Sequence, residues 1–221
     1  MEEILAFLKE LRENNNREWF NANKERYNGC KMQMERIATE LIGEIAVFDE
    51  DIKGVEAKDC MFRIYRDVRF STDKSPYKCH FGTYIASGGG RKSRRAGYYV
   101  HIEPGNCCLS GGMYCPEPAL LKKLRHDIYE NTEEFVGIIR SKEFMNEFPQ
   151  MYGEKLKKVP APFPADFPEA ELLKYKHYSP ESMRPDSFFT QGNVVDKMAK
   201  VFEKLYPFNR FMNYTLDTLN E

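Results

Sequence analysis

Apolar side chains recur at helical spacing through the first fifty residues of the chain. The first series is separated by three- and four-residue steps, which is the spacing of one helical face, and consists of Ile4, Phe7, Leu8 and Leu11. Residues 14–16 are asparagines, which favour turns and caps, so the first predicted helix ends there. Similar steps from Trp19 onward predict one long amphipathic helix that ends near Asp49.

The spacing changes to a period of two after Cys60. Residues 62–70 alternate, so that one face of a predicted strand holds four apolar side chains together with Arg66. Three further runs have strand character, at residues 80–86, 97–103 and 107–110. Their connections are too short for the crossover helices that parallel neighbours need, so we expect antiparallel pairing.

Helical spacing returns in the second half of the chain. The pattern predicts a helix after Pro118, another over residues 133–139, and a last one over residues 194–220 with a kink or break at Pro207. Four prolines in residues 160–168 exclude helix and central strand, and we expect this segment to lie extended across the surface.

The composition supports a single globular domain. Hydrophobic residues make up 42% of the 221 and charged residues 30%, which argues against disorder. No stretch approaches the roughly 20 apolar residues of a membrane span, and the acidic N-terminus lacks the features of a signal peptide. We therefore expect a cytoplasmic α+β domain over residues 1–221 with no membrane partner. In this fold, an antiparallel sheet of about four or more strands packs with N-terminal and C-terminal helices.

Basic residues are concentrated in one part of a nearly neutral chain. The net charge is −1, but residues 58–102 hold 10 basic and 3 acidic residues. Guanidinium and ammonium groups at this density suit phosphate or carboxylate groups, and nearby aspartates orient them. The candidate ligand-binding residues are Arg63, Arg66, Asp67, Arg69, Asp73, Lys74, Tyr77, Lys78 and His101.

Two interpretations of these residues stay open. A charged Arg66 on an apolar face needs a partner, which is either a ligand or the carboxylate of a structural ion pair. The charges of Arg63, Asp67 and Arg69 fit a binding site or a solvated sheet face with cross-strand pairs. Residues 71–78 fit an anion cradle or an ordinary Asx turn between two strands.

Residues with catalytic or metal-binding chemistry are scattered. His101 lies in an apolar strand, where it is either a structural histidine or a general base. Cys107, Cys108 and Cys115 lack the C-x-x-C spacing of a zinc site. We therefore predict no metal and no cofactor, and we expect the six cysteines to be reduced thiols.

Several segments together resemble a known family. They are residues 11–20 (LRENNNREWF) with Lys24 and Tyr27, residues 62–71 (FRIYRDVRFS) and residues 73–78 (DKSPYK). In these segments the chain is similar to the family called domain of unknown function 2461, over nearly its whole length. The resemblance implies a single domain in a bacterial cytoplasmic setting and supplies no catalytic assignment.

The charge pattern leads to three hypotheses for function. The first is a site that binds an anionic, phosphate-bearing small molecule at the basic sheet region. The alternative is a nucleic-acid binder that uses the same patch with the basic loop at residues 91–95, or a base-stacking stretch at residues 174–178. A third is an interaction scaffold whose protein partners are unknown. Whether the protein is an enzyme stays open, with Asp67 or His101 as the candidate base.

Overall fold

The computed structural model describes residues 1–220 of the chain, and its N-terminal part is helical. The first helices are α1 (Glu2–Glu13), α2 (Arg17–Ala22), α3 (Lys24–Ile45) and the short α4 (Ala57–Cys60). The long helix predicted from Trp19 is present as α3, but its predicted start is wrong, because Asn23 separates α2 from α3 with non-helical backbone angles. The Asn23 side-chain amide donates to the Trp19 carbonyl at 2.9 Å, which competes with helix continuation.

A five-stranded antiparallel sheet follows, as predicted for an α+β fold. Its strands are β1 (Phe81–Ile85), β2 (Gly97–Ile102), β3 (Cys107–Gly112), β4 (Gln150–Met151) and β5 (Pro180–Arg184). The strand order is β1-β2-β3-β5-β4, and Gln150 of β4 pairs with Glu181 of β5. The predicted α+β class, with at least four strands and helices at both ends of the chain, is confirmed. Sequence patterning missed β4, which has two residues, and β5, whose sequence PESMR does not alternate apolar and polar residues.

The strand predicted over residues 62–70 is wrong. Only isolated bridge pairs form in this region, between Met61 and Thr83 and between Tyr65 and Tyr77. The supposed apolar face does not exist, because Phe70 is 96% exposed although Ile64 is buried. Alternation was present in the sequence, but the chain beyond Arg66 turns back on itself instead of extending.

The second half of the chain is mainly helical. Its helices are α5 (Pro118–Glu130), α6 (Thr132–Ile139), α7 (Lys142–Glu147), α8 (Asp186–Thr190) and α9 (Val194–Asp217). Helix α9 continues through Pro207, so a break there is excluded. The proline-rich segment is anchored by Phe163, whose ring lies 5.5 Å from that of Tyr129. Among the described residues no helix has the length and apolar character needed to cross a membrane.

The chain forms two compact units. The first contains Met1–Ser93, Tyr99–Leu109 and Met183–Lys200, and the second contains Arg94–Tyr98, Ser110–Ser182 and Val201–Glu221. The prediction of one domain over residues 1–221 stays a prediction.

Each unit has its own aromatic core. In the first unit, Phe20 stacks on Tyr77 with ring centroids 3.9 Å apart and also contacts Tyr27. In the second unit, Phe135 lies 5.8 Å from Phe208 by ring centroids. Aromatic pairs of this kind add to the stability that their buried area provides.

Candidate anion-binding pocket and histidine cluster

The segment between α4 and β1 is held as an irregular antiparallel pair. The Phe62 amide donates to the Gly82 carbonyl at 3.0 Å, the Lys78 amide to Ile64 at 2.8 Å, and the Arg66 amide to Pro76 at 2.9 Å. These hydrogen bonds satisfy the extended backbone without making a continuous strand. They position Arg63 and Lys78 on paired stretches of chain.

Tyr77 belongs to the core of the first unit and not to a binding surface. Its side chain is 4% exposed and stacks on Phe20. Asn15 holds the Tyr77 backbone at both ends, since its side chain accepts from the Tyr77 amide at 3.1 Å and donates to the Tyr77 carbonyl at 2.9 Å. Asn15 therefore attaches the segment to the N-terminal helices, which is a structural role.

Arg66 is an ion-pair partner of Asp73 within a turn. Asp73 also accepts from the Ser75 amide at 2.9 Å and the Ser75 hydroxyl at 2.6 Å. These hydrogen bonds from Ser75, followed by the Arg66 guanidinium, hold the pKa of Asp73 well below its usual range. Arg66 thus has a carboxylate partner within its own turn, and its role in ligand binding stays a prediction.

The remaining charged residues of this turn also find partners inside it. Arg69 donates to both carboxylate oxygens of Asp67, at 3.0 and 2.6 Å, and this hydrogen bonding lowers the pKa of Asp67. The Lys74 ammonium donates to the Val68 carbonyl at 3.0 Å. Residues 66–75 thus form a turn whose charged side chains find their partners within the turn. The other predicted ligand-binding residues lie elsewhere in the first unit.

Arg63 and Lys78 instead line a cavity in the first unit, with a volume of about 560 Å³. We call it the basic pocket. Helices α3 and α4, the start of the irregular pair and a short turn after β1 provide its walls. The lining residues are Lys31, Glu35, Lys58, Met61, Phe62, Arg63, Lys78, Arg91 and Lys92.

Positive charge in the basic pocket is largely uncompensated. Within residues 1–220, none of Lys31, Arg63, Lys78 and Lys92 forms an ion pair with a carboxylate, whereas Lys58 pairs with Glu56, which lies outside the pocket lining. Arg91 donates to the Asp59 carbonyl at 2.8 Å. Glu35 is the one carboxylate in the lining. Six cations against one carboxylate make this cavity attractive to anions.

The pKa of Lys78 reflects the electrostatic character of the basic pocket. Burial, with a further contribution from the charge of Arg63, lowers the pKa of the Lys78 ammonium. The ammonium lies 5.5 Å from the centroid of the Phe62 ring, which is a cation–π distance. An anion in the cavity would relieve the repulsion between Lys78 and Arg63.

Sequence reasoning found two of the pocket residues as binding candidates and missed the others. Lys31 and Glu35 lie one helical turn apart on α3, far from the basic segment in sequence. Arg91 and Lys92 were considered only as part of a basic loop for nucleic acid. The signal for Lys58, Arg91 and Lys92 was the basic excess of residues 58–102, but nothing in the pattern indicated that Lys31 joins them.

His101 lies in a second cluster, with His80 and Glu103. The His101 Nε2 is 3.1 Å from Glu103 Oε2, and the His101 Nδ1 is 2.9 Å from the Tyr99 hydroxyl oxygen. The His80 and His101 ring centroids are 4.4 Å apart. Burial, together with His101 and Lys78, lowers the pKa of His80 to about 4. His101 therefore has specific polar partners. The strand alternation already placed it on one face with Tyr99 and Glu103, but sequence reasoning did not connect it with His80.

Among the described residues, the cysteines do not join the cluster of His80, His101 and Glu103. All six thiols are free, and Cys115 is the exposed one. Burial raises the pKa of Cys30 and Cys60 to about 11 and that of Cys107 to about 12. Within residues 1–220, the potential metal ligands that lie close enough together to hold one ion are His80, His101 and Glu103.

The basic segments considered for nucleic acid are partly neutralised. Arg94 donates to Glu117 at 2.9 Å, and Arg95 donates to Asp217 at 3.2 Å. In the second stretch, Lys176 pairs with Glu154 at 2.7 Å. Tyr178 is fully buried, so it offers no surface on which a base could stack.

Comparisons with known proteins bear on the family alone. No curated protein and no solved structure matches the chain. The profile of the family described as "Conserved hypothetical protein (DUF2461)" matches residues 3–211. This match includes the N-terminal helices, the sheet and all residues of the basic pocket. The resemblance noted in the sequence is thereby confirmed, and the chain belongs to the DUF2461 family.

Proposed function

We propose that the protein binds an anionic small molecule, most simply one that bears a phosphate, in the basic pocket. The observation that carries this proposal is the set of four cations without a carboxylate partner, namely Lys31, Arg63, Lys78 and Lys92, around one cavity. Cations that share a cavity repel one another, and a multiply charged anion compensates them at once.

The size and lining of the cavity support a small molecule. Its volume of about 560 Å³ lies inside the range of small-molecule sites, which is roughly 300–1,000 Å³. Phe62 and Met61 add apolar surface beside the cations, and the Glu35 carboxylate can accept a hydrogen bond from a ligand hydroxyl or amine. A phosphate joined to a sugar or a ring matches this lining, and such metabolites are available to a bacterial cytoplasmic protein.

Within this site, Arg63 and Lys78 have the leading roles. Arg63 offers a planar fork that can hold two phosphate oxygens, whereas Lys78 contributes a point charge at the Phe62 ring. This assignment differs from the sequence prediction, which centred the site on Arg66. The guanidinium of Arg66 is occupied by Asp73.

The test is a binding screen of tag-free protein by thermal shift and calorimetry. The panel contains inorganic phosphate, pyrophosphate, nucleotides and sugar phosphates. Ligand present at about a hundred times its dissociation constant stabilises the protein by roughly 2.7 kcal/mol, which a thermal shift detects. We expect at least one phosphate class to bind and Arg63→Ala to weaken it by about tenfold or more, since a charge-assisted hydrogen bond contributes about 1.5–3 kcal/mol.

The matched control is Arg69→Ala. Arg69 is an arginine of the same segment, but it is paired with Asp67 and lies outside the basic pocket. Its removal should leave ligand affinity within about twofold of the wild type. Equal losses in Arg63→Ala and Arg69→Ala, or no stabilisation by any anion in a cooperatively folded protein, would contradict the proposal.

Nucleic-acid binding is the alternative, and short oligonucleotides added to the same panel test it. Arg91 and Lys92 line the basic pocket and are available to a phosphate backbone, although Arg94 and Arg95 are ion-paired. Binding of short oligonucleotides that weakens steeply between low and moderate salt would favour this alternative over a small molecule.

A further inference from the structure

The histidine cluster of the first unit has the arrangement of a metal site. Tyr99 and His101 are alternate residues of β2, and Glu103 directly follows that strand, so the three side chains share one side of it. His80 immediately precedes β1, and β1 is the neighbour of β2 in the sheet. Two imidazoles and one carboxylate are therefore brought together by adjacent strands.

The donor atoms are close enough for one ion. The candidate nitrogen and oxygen atoms of His80, His101 and Glu103 all lie within 4.8 Å of one another. A zinc ion with bonds of about 2.0–2.2 Å holds neighbouring ligands about 3.0–3.5 Å apart. His101 Nε2 and Glu103 Oε2, at 3.1 Å, already have this separation. The nitrogen of His80 lies within 4.8 Å of the other two donor atoms and would have to move closer to share an ion with them.

His80 has no competing interaction for its ring nitrogens. Neither nitrogen makes a hydrogen bond within residues 1–220, although the side chain is only partly exposed. Neither ring nitrogen is among the fully buried polar atoms, so both stay accessible to water and to an ion. Coordination of an ion would satisfy one of them.

The other two ligands are oriented by further polar groups. The Tyr99 hydroxyl contacts His101 Nδ1 at 2.9 Å, which directs Nε2 toward Glu103. Asn106 donates to Glu103 Oε2 at 2.8 Å, and Arg12 donates to Glu103 Oε1 at 3.2 Å. Supporting hydrogen bonds of this kind accompany metal ligands in proteins, because they fix the ring or carboxylate orientation.

We propose that His80, His101 and Glu103 bind a divalent first-row transition metal ion. Two imidazole nitrogens and one carboxylate oxygen suit Zn²⁺ and similar ions, whereas Ca²⁺ and Mg²⁺ prefer all-oxygen sites. The His101 and Glu103 side chains are 15% and 24% exposed, so water can complete the coordination shell. The cations Arg12 and Lys78 act on this cluster, so it has no excess of negative charge. Its affinity for a metal ion therefore comes from the geometry of the three ligands.

The experiment uses tag-free, full-length protein in phosphate-free buffer, with Cys115→Ser as the background because Cys115 is the exposed thiol. Zn²⁺ is titrated by calorimetry, and Co²⁺ is titrated by visible absorption. We expect one ion per chain, a cobalt d–d spectrum without a thiolate charge-transfer band, and affinity at least tenfold lower in His101→Ala. Loss of a ligand or its support commonly reduces metal affinity by this factor or more.

The matched control is His126→Ala, which removes a histidine of the second unit whose ring contacts Phe163. It should bind Zn²⁺ as the background does. His80→Gln, followed by circular dichroism and thermal melting, provides a second ligand variant in case His101→Ala does not fold. Arg63→Ala should leave Zn²⁺ affinity unchanged, which separates this proposal from anion binding in the basic pocket.

Three results would overturn the metal site. One is the absence of stoichiometric Zn²⁺ binding by the folded background protein. Another is unchanged affinity in folded His101→Ala or His80→Gln. The last is a thiolate-to-cobalt band, which would assign the ion to cysteine.

Discussion

Arg63 and Arg66 are three residues apart and have different roles because their backbone settings differ. Arg66 begins a turn that brings Asp73 to its guanidinium, and Ser75 completes the hydrogen bonds of that carboxylate. Arg63 precedes the turn and lies in the basic pocket without a carboxylate partner among residues 1–220. Sequence alternation placed them on opposite faces of one strand but could not tell which would find a carboxylate partner, since that depends on where the chain turns.

Glycine at residue 112 is required by close backbone contact. Its φ is +74°, and a Cβ atom there would lie 2.0 Å from the Tyr178 carbonyl oxygen. We expect Gly112→Ala to lower the free energy of unfolding by roughly 3 kcal/mol or more, through left-handed strain and overpacking together. Urea denaturation measures this change.

Gly43→Ala is the matched control for this substitution. Gly43 lies within α3, and a Cβ atom added there would have no neighbouring atom within 4 Å, so alanine fits freely. Alanine should raise the free energy of unfolding by about 0.5–1 kcal/mol through helix propensity. A Gly112→Ala protein as stable as Gly43→Ala would show that the backbone at residue 112 relaxes without cost.

Helices α1 and α3 are joined by an arginine whose two partners lie on the same helix. Arg26 of α3 donates to Glu10 at 2.8 Å and to Glu3 at 3.0 Å, both on α1. Glu3 and Glu10 are seven residues apart, which places them two turns apart on one helical face. The helix pattern predicted the helices, but this cross-helix pairing required knowing that α3 lies beside that face of α1.

The contribution of Arg26 should depend on pH. Hydrogen bonds from Arg26 lower the pKa of Glu10, so the pair stabilises the fold above the unfolded pKa of Glu10 and this stability is lost as pH falls through the folded pKa. Both side chains are partly exposed, and we expect Arg26→Gln to cost about 0.5–1 kcal/mol at pH 7. The difference from wild type should shrink at pH 3, as measured by urea denaturation at both pH values.

Arg36→Gln provides the control on the same helix. Arg36 is exposed and has no ion pair within residues 1–220, so its replacement should change stability by less than about 0.5 kcal/mol at either pH. Equal effects of Arg26→Gln and Arg36→Gln at pH 7 would mean that the cross-helix pair contributes nothing measurable.

Burial across the whole molecule divides the six cysteines by reactivity. Cys30, Cys60 and Cys107 are buried and their raised pKa values keep them as thiols near neutral pH, and the pKa of Cys79 is also raised by burial. Cys115 is exposed. We expect a disulfide reagent to modify one thiol rapidly in native protein and all six in denaturant, as measured by absorbance.

Cys115→Ser should remove the rapid phase of that reaction. The variant tests the assignment directly, because its five remaining cysteines keep their native environments. Two or more rapid equivalents in wild-type protein, or a rapid phase that persists in Cys115→Ser, would contradict the burial seen in the fold.

Hydrophobic periodicity was sufficient for the elements that bury one continuous face. The first helix, β1 to β3 and helices α5, α6 and α9 follow from it, since each has apolar residues at the period of its own backbone. Periodicity failed over residues 62–70, where charged side chains pair inside a turn. It also failed at β4, which has two residues, and at β5, whose sequence PESMR does not alternate apolar and polar residues. The family could also be recognised from sequence, because its motifs are local.

The candidate sites were decided by tertiary structure. Lys31 of α3 joins Arg63 and Lys78 only because the helix lies beside the irregular pair, and His80 meets His101 only because β1 neighbours β2. Charge density along the chain located the basic region, since that property is additive over residues. Which cations are neutralised and which remain available is a property of distances between segments, and those distances exist only in the folded protein.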